Sequence, residues 1–231
     1  MSDRHANPSI AISGAARGGR AGIMAAYATA FFSSMCILII ELVAGRVIAQ
    51  YLGQSLYTWT SIIGIVLAGI AIGNYIGGRI ADRYRPTKAL AVLLFLACLA
   101  SLTVPDVNSL AGQSELLIQL DWPPRIAFHI LITFLLPSAV LGTIGPVAAK
   151  FALDQGRATG RTVGNIYAWG ALGSIIGTFL TGFYLLAWMR VSSIIYTVAG
   201  GLLLISLLYG LGAWLLSGKG DAPTSGDAGR S

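Results

Sequence analysis

With 231 residues, 55% of them hydrophobic, 10% charged and a formal net charge of +6, the chain falls far short of the roughly one-quarter charged content of soluble domains. This composition, with a mean hydropathy of +0.75, excludes a globular domain that faces water on all sides. The excess positive charge does not point to nucleic acid, because it falls in alternate loops, where membrane topology accounts for it.

Residues 1–20 are polar, Gly/Ala-rich and basic, and are expected to form a disordered cytoplasmic arm. Apolar runs follow at roughly 22–41, 58–78, 87–104, 126–149, 163–187 and 192–216. Each matches the length that crosses a hydrocarbon core. Each must be a helix, because lipid cannot satisfy a free backbone amide, and none alternates as a barrel strand would. The first run continues past its small residues Ala26 to Ala30, which predicts an uncleaved anchor rather than a signal peptide. The fold class is therefore all-α and polytopic, with about six spans in one membrane domain over 21–217. Residues 218–231 lack apolar periodicity and are expected to form a second disordered cytoplasmic tail.

Orientation follows from the loops. Arg17 and Arg20 precede the first span; Arg79, Arg83, Arg85 and Lys88 flank the turn after the second; Lys150, Arg157 and Arg161 flank the turn after the fourth. The connection between spans three and four holds Asp106, Glu115 and Asp121 against Arg125. The basic loops mark the cytoplasmic side, so both termini are expected there, in a bacterial inner membrane. Trp59, Trp122 and Trp188 fall near outer ends, and Tyr84 and Trp214 near inner ones, as headgroup-level anchors do.

Along the chain, Glu41 and Arg46 are the first candidates for chemistry, since an ionisable side chain within a span is costly unless paired. They lie five apart and do not share a face. With His129, which enters at the start of span four, they form a candidate outward-facing polar pocket; the alternative is snorkelling and interface anchoring. Span two carries Gly69, Gly73 and Gly77 at four-residue spacing, and span five carries Gly173 and Gly177. Small residues at that spacing let helices pack closely, either within the subunit, at a dimer face or along a sliding surface.

Span four contains Pro137, followed by Gly142, Gly145 and Pro146, a pattern that interrupts a helix, and interrupted helices line sites in transporters. On the inner side, Asn74, Asn165 and Tyr167, with Trp169 beside them, are candidates to hold a polar or cationic solute through amide hydrogen bonds and cation–π contact. Interhelical hydrogen bonding is the other reading. Asp82, Arg83, Arg85, Arg157 and Arg161 are candidates to dock a partner. Ser61 to Gly69 and Ser174 to Gly182 both read SIIGxxLxG. Three spans separate them, so the copies run in opposite directions, as in an inverted three-plus-three repeat.

Cys36 and Cys98 both fall inside apolar spans and read as core residues. The sequence has no HExxH and no paired Cys/His spacing, no GxSxG, no P-loop and no strand-borne GxGxxG. No catalytic residue, metal ligand or cofactor is expected.

The block ELVAGRVIAQYLGQSLYTWTSIIGIVLAGIAIGNYIGGRIADR resembles the N-terminal membrane region of bacterial spermidine synthase-like membrane proteins. The residues that carry the resemblance are Glu41, Gly45-Arg46, Tyr51-Leu52-Gly53 and Trp59-Thr60. GRTVGNIYAWGALGSIIGTFLTGFYLL, from Gly160 to Leu186, is similar to that family's second block. Family members are often fused to a soluble aminopropyltransferase-like domain, and the sequence given contains no such domain. The resemblance therefore implies a non-catalytic membrane subunit that partners a separate soluble aminopropyltransferase-like enzyme or handles its polyamine-related solute. The run Gly73 to Arg83 is also loosely similar to the basic loop of major facilitator transporters, of which six spans would be half. The inverted repeat and the interrupted helix carry a different reading: a small secondary transporter of a polyamine-like or other small solute, working as a homodimer.

Overall fold

The computed structural model describes residues 8–155 and 159–217, with side chains for 21–155 and 159–214. The tail 218–231 and Arg157 lie outside the described residues. All regular structure among the described residues is helical, and six segments are long and apolar enough to cross a membrane. A multi-pass membrane protein is what these six segments make.

The first helix, α1 (Pro8–Leu52), is longer at both ends than its apolar run. Its backbone reaches back into the segment expected to be an arm, and forward past Glu41 because LVAGRVIAQYL holds no breaker. It stops where Gly53 adopts a left-handed φ of 65° and donates its N–H to the Ala49 carbonyl, 3.2 Å away, as helix-ending glycines do. Ser55 then caps α2 (Leu56–Arg83), its hydroxyl accepting from the Thr58 N–H at 3.1 Å. Pro86 opens α3 (Pro86–Leu102) at a position where a missing N–H costs nothing.

The chain continues through α4 (Val104–Gly112), α5 (Glu115–Ile118), α6 (Trp122–Gly142) and α7 (Ile144–Leu153). It ends with α8 (Thr159–Leu180), a π-helical turn at Thr181–Leu185, α9 (Leu186–Trp188) and α10 (Val191–Ser217). Two spans are interrupted, each four residues before the carbonyl-clashing ring of a proline or next to it. Pro105 follows the break at Thr103. Pro146 cannot donate to the Gly142 carbonyl, and α6 ends at Gly142; the Thr143 hydroxyl turns back onto the Val140 carbonyl at 2.6 Å. Pro137 is buried inside α6 without ending it.

Neighbours in sequence are not the main partners in space. Span two (α2) lies along span four (α6), span one (α1) along span five (α8), and span three (α3) along span six (α10). The centre is α1 against α7. Behind it, α3 packs on α6 and α7 while α10 packs on α1, enclosing Ile48, Leu90, Leu94, Ile126, Ile130, Phe134, Ile194 and Leu202. In front, α2 and α8 flank the centre.

Glycine sets both flanking seams. A Cβ on Gly73 would overlap the Ala139 carbonyl oxygen and come within 2.9 Å of Gly142 Cα; one on Gly77 would reach Thr143 Cα at 2.7 Å. On the other flank, a Cβ on Gly173 would overlap the Phe31 carbonyl oxygen and lie 2.8 Å from its carbon, and Gly177 packs likewise on Met35. The glycine ladders thus serve close packing within the subunit, where only a missing side chain lets two backbones touch. Both paired helices run parallel.

Two ends of the bundle can be told apart. Tyr27 meets Asn165 and Thr29 meets Tyr209 at one end, which also holds Arg79, Arg83, Arg85, Lys88, Lys150 and Arg161. This is the basic end. Tyr51 meets Ser109, and Asn108 meets Val47, at the opposite end.

Candidate functional site

Between the flanking helices lies a groove of about 520 Å³, floored by α1 with the α6–α7 junction and walled by α2 and α8. Its position follows from the seams. Glycine draws α2 onto α6 and α8 onto α1, so the flanking helices stand apart from each other. The break at Gly142–Thr143 lies in the floor, together with Gly145 and Pro146.

The polar side chains facing the groove are Ser33 and Ser34 from α1, Asn74 from α2, and Tyr167 and Ser174 from α8. Ser33 bonds the Ala30 carbonyl of its own helix at 3.2 Å. The side chains of Ser34, Asn74, Tyr167 and Ser174 make no hydrogen bond among the described residues, and Tyr167 is 74% exposed. None of the lining residues is charged. The groove lies nearer the basic end: Asn74 is nine residues from the end of α2 and Tyr167 eight from the start of α8. Chemically it offers the hydroxyls of Ser34, Tyr167 and Ser174 and the amide of Asn74 to donate or accept, with the Ser33 hydroxyl already spent as a donor, over an apolar floor.

Two of the residues expected to hold a solute, Asn74 and Tyr167, are brought together here. Asn165 is not with them; its amide donates to the Tyr27 hydroxyl at 3.1 Å, tying α8 to α1. Trp169 meets Phe31 edge to face, ring centres 6.2 Å apart.

The pocket proposed for Glu41, Arg46 and His129 is not assembled, since no hydrogen bond or ion pair joins them among the described residues. His129 is buried at the opposite end. Its Nε2 and the Asn108 side-chain oxygen are 2.9 Å apart, and the Asn108 amide donates to the Val47 carbonyl at 3.2 Å. His129 is thus a clasp between α1, α4 and α6. Arg46 is exposed. Glu41 is half-buried, one helical turn beyond Ile37 on the face of α1 that floors the groove, and has no partner among the described residues. Asp82, Arg83, Arg85 and Arg161 are exposed at the basic end and make no ion pair among the described residues; Lys150 pairs with Asp154, both well exposed. No group of three potential metal ligands occurs among the described residues.

Sequence reasoning missed Ser33, Ser34 and Ser174. A usable signal existed: Ala71-Ile-Gly73-Asn-Tyr-Ile-Gly77 and Ala171-Leu-Gly173-Ser-Ile-Ile-Gly177 share AxGxxIG, placing Asn74 and Ser174 at the same position. The SIIGxxLxG echo does not mark matching environments. In it Gly64 answers to Gly177, yet Gly64 meets open space while Gly177 packs on Met35.

No protein-family model, curated protein or solved structure matches the chain.

Proposed function

We propose that the chain is a non-catalytic, solute-handling protein of the bacterial inner membrane, with the groove between α2 and α8 as its solute site and the basic end in the cytoplasm. One observation carries the reading: four polar side chains without partners among the described residues converge between apolar, span-length helices, in a recess floored by an interrupted helix. A bilayer makes unpaired polar groups costly, so where they gather they mark a path for something polar.

The packing pattern supports transport over a purely structural role. Exchanging spans one with four, two with five and three with six interchanges the two–four and one–five pairs and returns the three–six pair to itself, as an inverted three-plus-three repeat would. The uncharged lining suits a small neutral or zwitterionic polar solute better than a polycation. A polyamine is the more specific substrate implied by resemblance to the spermidine synthase-like membrane proteins, and that resemblance alone supports it.

Side-specific thiol labelling tests this reading. Asn74→Cys and Ser174→Cys, in a background with Cys36 and Cys98 replaced by alanine, are expected to react with a membrane-impermeant maleimide added to inside-out vesicles and to be protected in intact cells. Reaction from neither side would place these residues against lipid and end the solute reading. Proteoliposome uptake of labelled spermidine alongside a neutral polyol then decides the solute class.

Asp82, Arg83, Arg85 and Arg161, exposed and without an ion pair among the described residues, support a second role at the same end, docking of a soluble aminopropyltransferase-like enzyme. Charge reversal at Arg83 and Arg161 is expected to abolish co-purification of such an enzyme; unchanged recovery would remove the docking role.

A further inference from the structure

The groove has a floor and two walls but no roof, and the walls carry a pattern that the function described above leaves unused. On α2, Gly64, Ala71 and Gly78 recur every seven residues; on α8, Gly164, Ala171 and Thr178 do the same. A seven-residue step returns a helix to nearly the same face. These faces are turned away from the packed seams: Gly64, Gly78 and Gly164 have nothing within 4 Å of where a Cβ would be. They lie at the rim: Ala71 is next to the lining residues Ile70 and Asn74 of α2, and Ala171 is itself at the edge of the lining on α8. The open glycines of α10, at 200, 201, 210 and 212, are instead spread around the helix with no common face.

Resting on the solute reading, we propose that a second copy of this chain roofs the groove. The two copies would be related by a two-fold axis along the membrane normal, each α2 lying against the α8 of its partner. Three observations select that occupant. The two rims are complementary level by level, because α2 runs toward the basic end and α8 away from it. Counted from that end, Gly78 stands level with Gly164, Ala71 with Ala171, and Gly64 with Thr178. Small therefore meets small three times in each of two symmetric contacts, the condition for close helix approach in a bilayer.

The polar lining comes next. Asn74, Ser34, Ser174 and Tyr167 lack partners among the described residues of one copy, and the symmetry sets each opposite a second set of itself across a shared, lipid-free space. The contact is also of adequate size. Two helix edges, each about 10 Å wide and about 30 Å long, give roughly 600 Å² per copy, at the threshold for a stable interface. The complete site then holds eight such polar side chains, four contributed by each copy.

Disulfide trapping in native membranes tests the arrangement. Two differently tagged forms, both lacking Cys36 and Cys98, are co-expressed, one with Ala71→Cys and the other with Ala171→Cys, and oxidised with copper phenanthroline. A mixed dimer carrying both tags is expected, with none from the control pair Val92→Cys and Leu204→Cys on the outer faces of α3 and α10. Ala71→Phe, which points into open space in one copy, is expected to leave the monomer folded by circular dichroism and to abolish the trapped dimer.

Monomer alone in the test pair, or trapping that the control pair equals, overturns the proposal. The thiol labelling at Asn74→Cys separates this failure from failure of the solute reading. Labelling without trapping would mean an aqueous groove in a single copy, so that only the second copy is wrong. Neither labelling nor trapping would mean a lipid-facing groove, and both are wrong.

Discussion

Replacing Gly73 by alanine adds one methyl group at the tightest point of the α2–α6 seam. The new Cβ would overlap the Ala139 carbonyl oxygen and stand 3.0 Å from its carbon and 2.9 Å from Gly142 Cα. All three atoms belong to backbone, so no rotamer change relieves the clash, and α2 must retreat by about 1 Å. A gap of that size forfeits a quarter to a half of each contact it opens, and overpacking of this kind costs about 1–3 kcal/mol. Alanine returns up to about 1 kcal/mol through its better helix propensity.

The control is Gly78→Ala, five residues further along the same helix, where nothing lies within 4 Å; it receives the propensity gain without the clash. The propensity gain is common to both, so the two variants are expected to differ by the clash alone, about 1–3 kcal/mol, or roughly five- to 150-fold in the unfolding equilibrium. Reversible unfolding of each in mixed micelles of mild detergent and SDS, followed by far-ultraviolet circular dichroism, measures the difference. Equal stability of Gly73→Ala and Gly78→Ala would refute the argument that backbone contact, rather than general apolar burial, holds α2 in place.

The same experiment on Gly173→Ala is expected to give a similar loss, since its Cβ would overlap the Phe31 carbonyl oxygen. Asn108→Ala removes the partner of both His129 and the Val47 carbonyl, and is expected to lower stability by about 1–3 kcal/mol in the same unfolding assay. Glu41→Gln is expected to leave stability unchanged or slightly raised, because the carboxylate has no partner to lose; a loss above about 1 kcal/mol would mean that it holds one. Lys150→Ala breaks an exposed pair and is expected to cost less than about 1 kcal/mol. Pro146→Ala restores a donor to the Gly142 carbonyl, so α6 and α7 are expected to merge and maleimide labelling of Asn74→Cys to slow.

The spans were legible because their signal is local: a run of apolar side chains long enough to cross lipid needs no knowledge of its neighbours. The glycine ladders were legible for a similar reason, since Gly69, Gly73 and Gly77 mark one face whatever lies against it. Which helix lies there is not local, and nothing in the ladder of α2 names Ala139. The first apolar run covers roughly 22–41, and the still largely apolar LVAGRVIAQYLG after it points to a longer helix; the backbone ends it at Leu52, before Gly53. The break in span four was expected from its prolines, but Pro137 and Pro146 look alike in sequence; only the second ends a helix.

Polar residues were the hardest to place. Asn74 and Asn165 were grouped because both fall at the same depth, but depth does not fix the azimuth. One faces the groove and the other is spent on Tyr27. His129 was grouped with Glu41 on the same ground, and its true partner, Asn108, lies on a helix the sequence showed as a loop.

The pairing of span two with four, one with five and three with six has a consequence for how the chain is made. Spans leave the ribosome in order, yet each of the first three finds its principal partner only after at least two more have been synthesised. While the nascent chain ends before Trp122, the glycine face of α2 has no α6 backbone to meet, and the Phe31–Met35 backbone of α1 has no α8 glycines. The N-terminal half is then a set of separately inserted helices rather than a half-built bundle, and assembly is a late, concerted event. Truncation before span four is therefore expected to leave inserted but unpacked helices exposed to quality-control proteolysis. Separate expression of the two halves can still yield a complete bundle, because the seams join one half to the other.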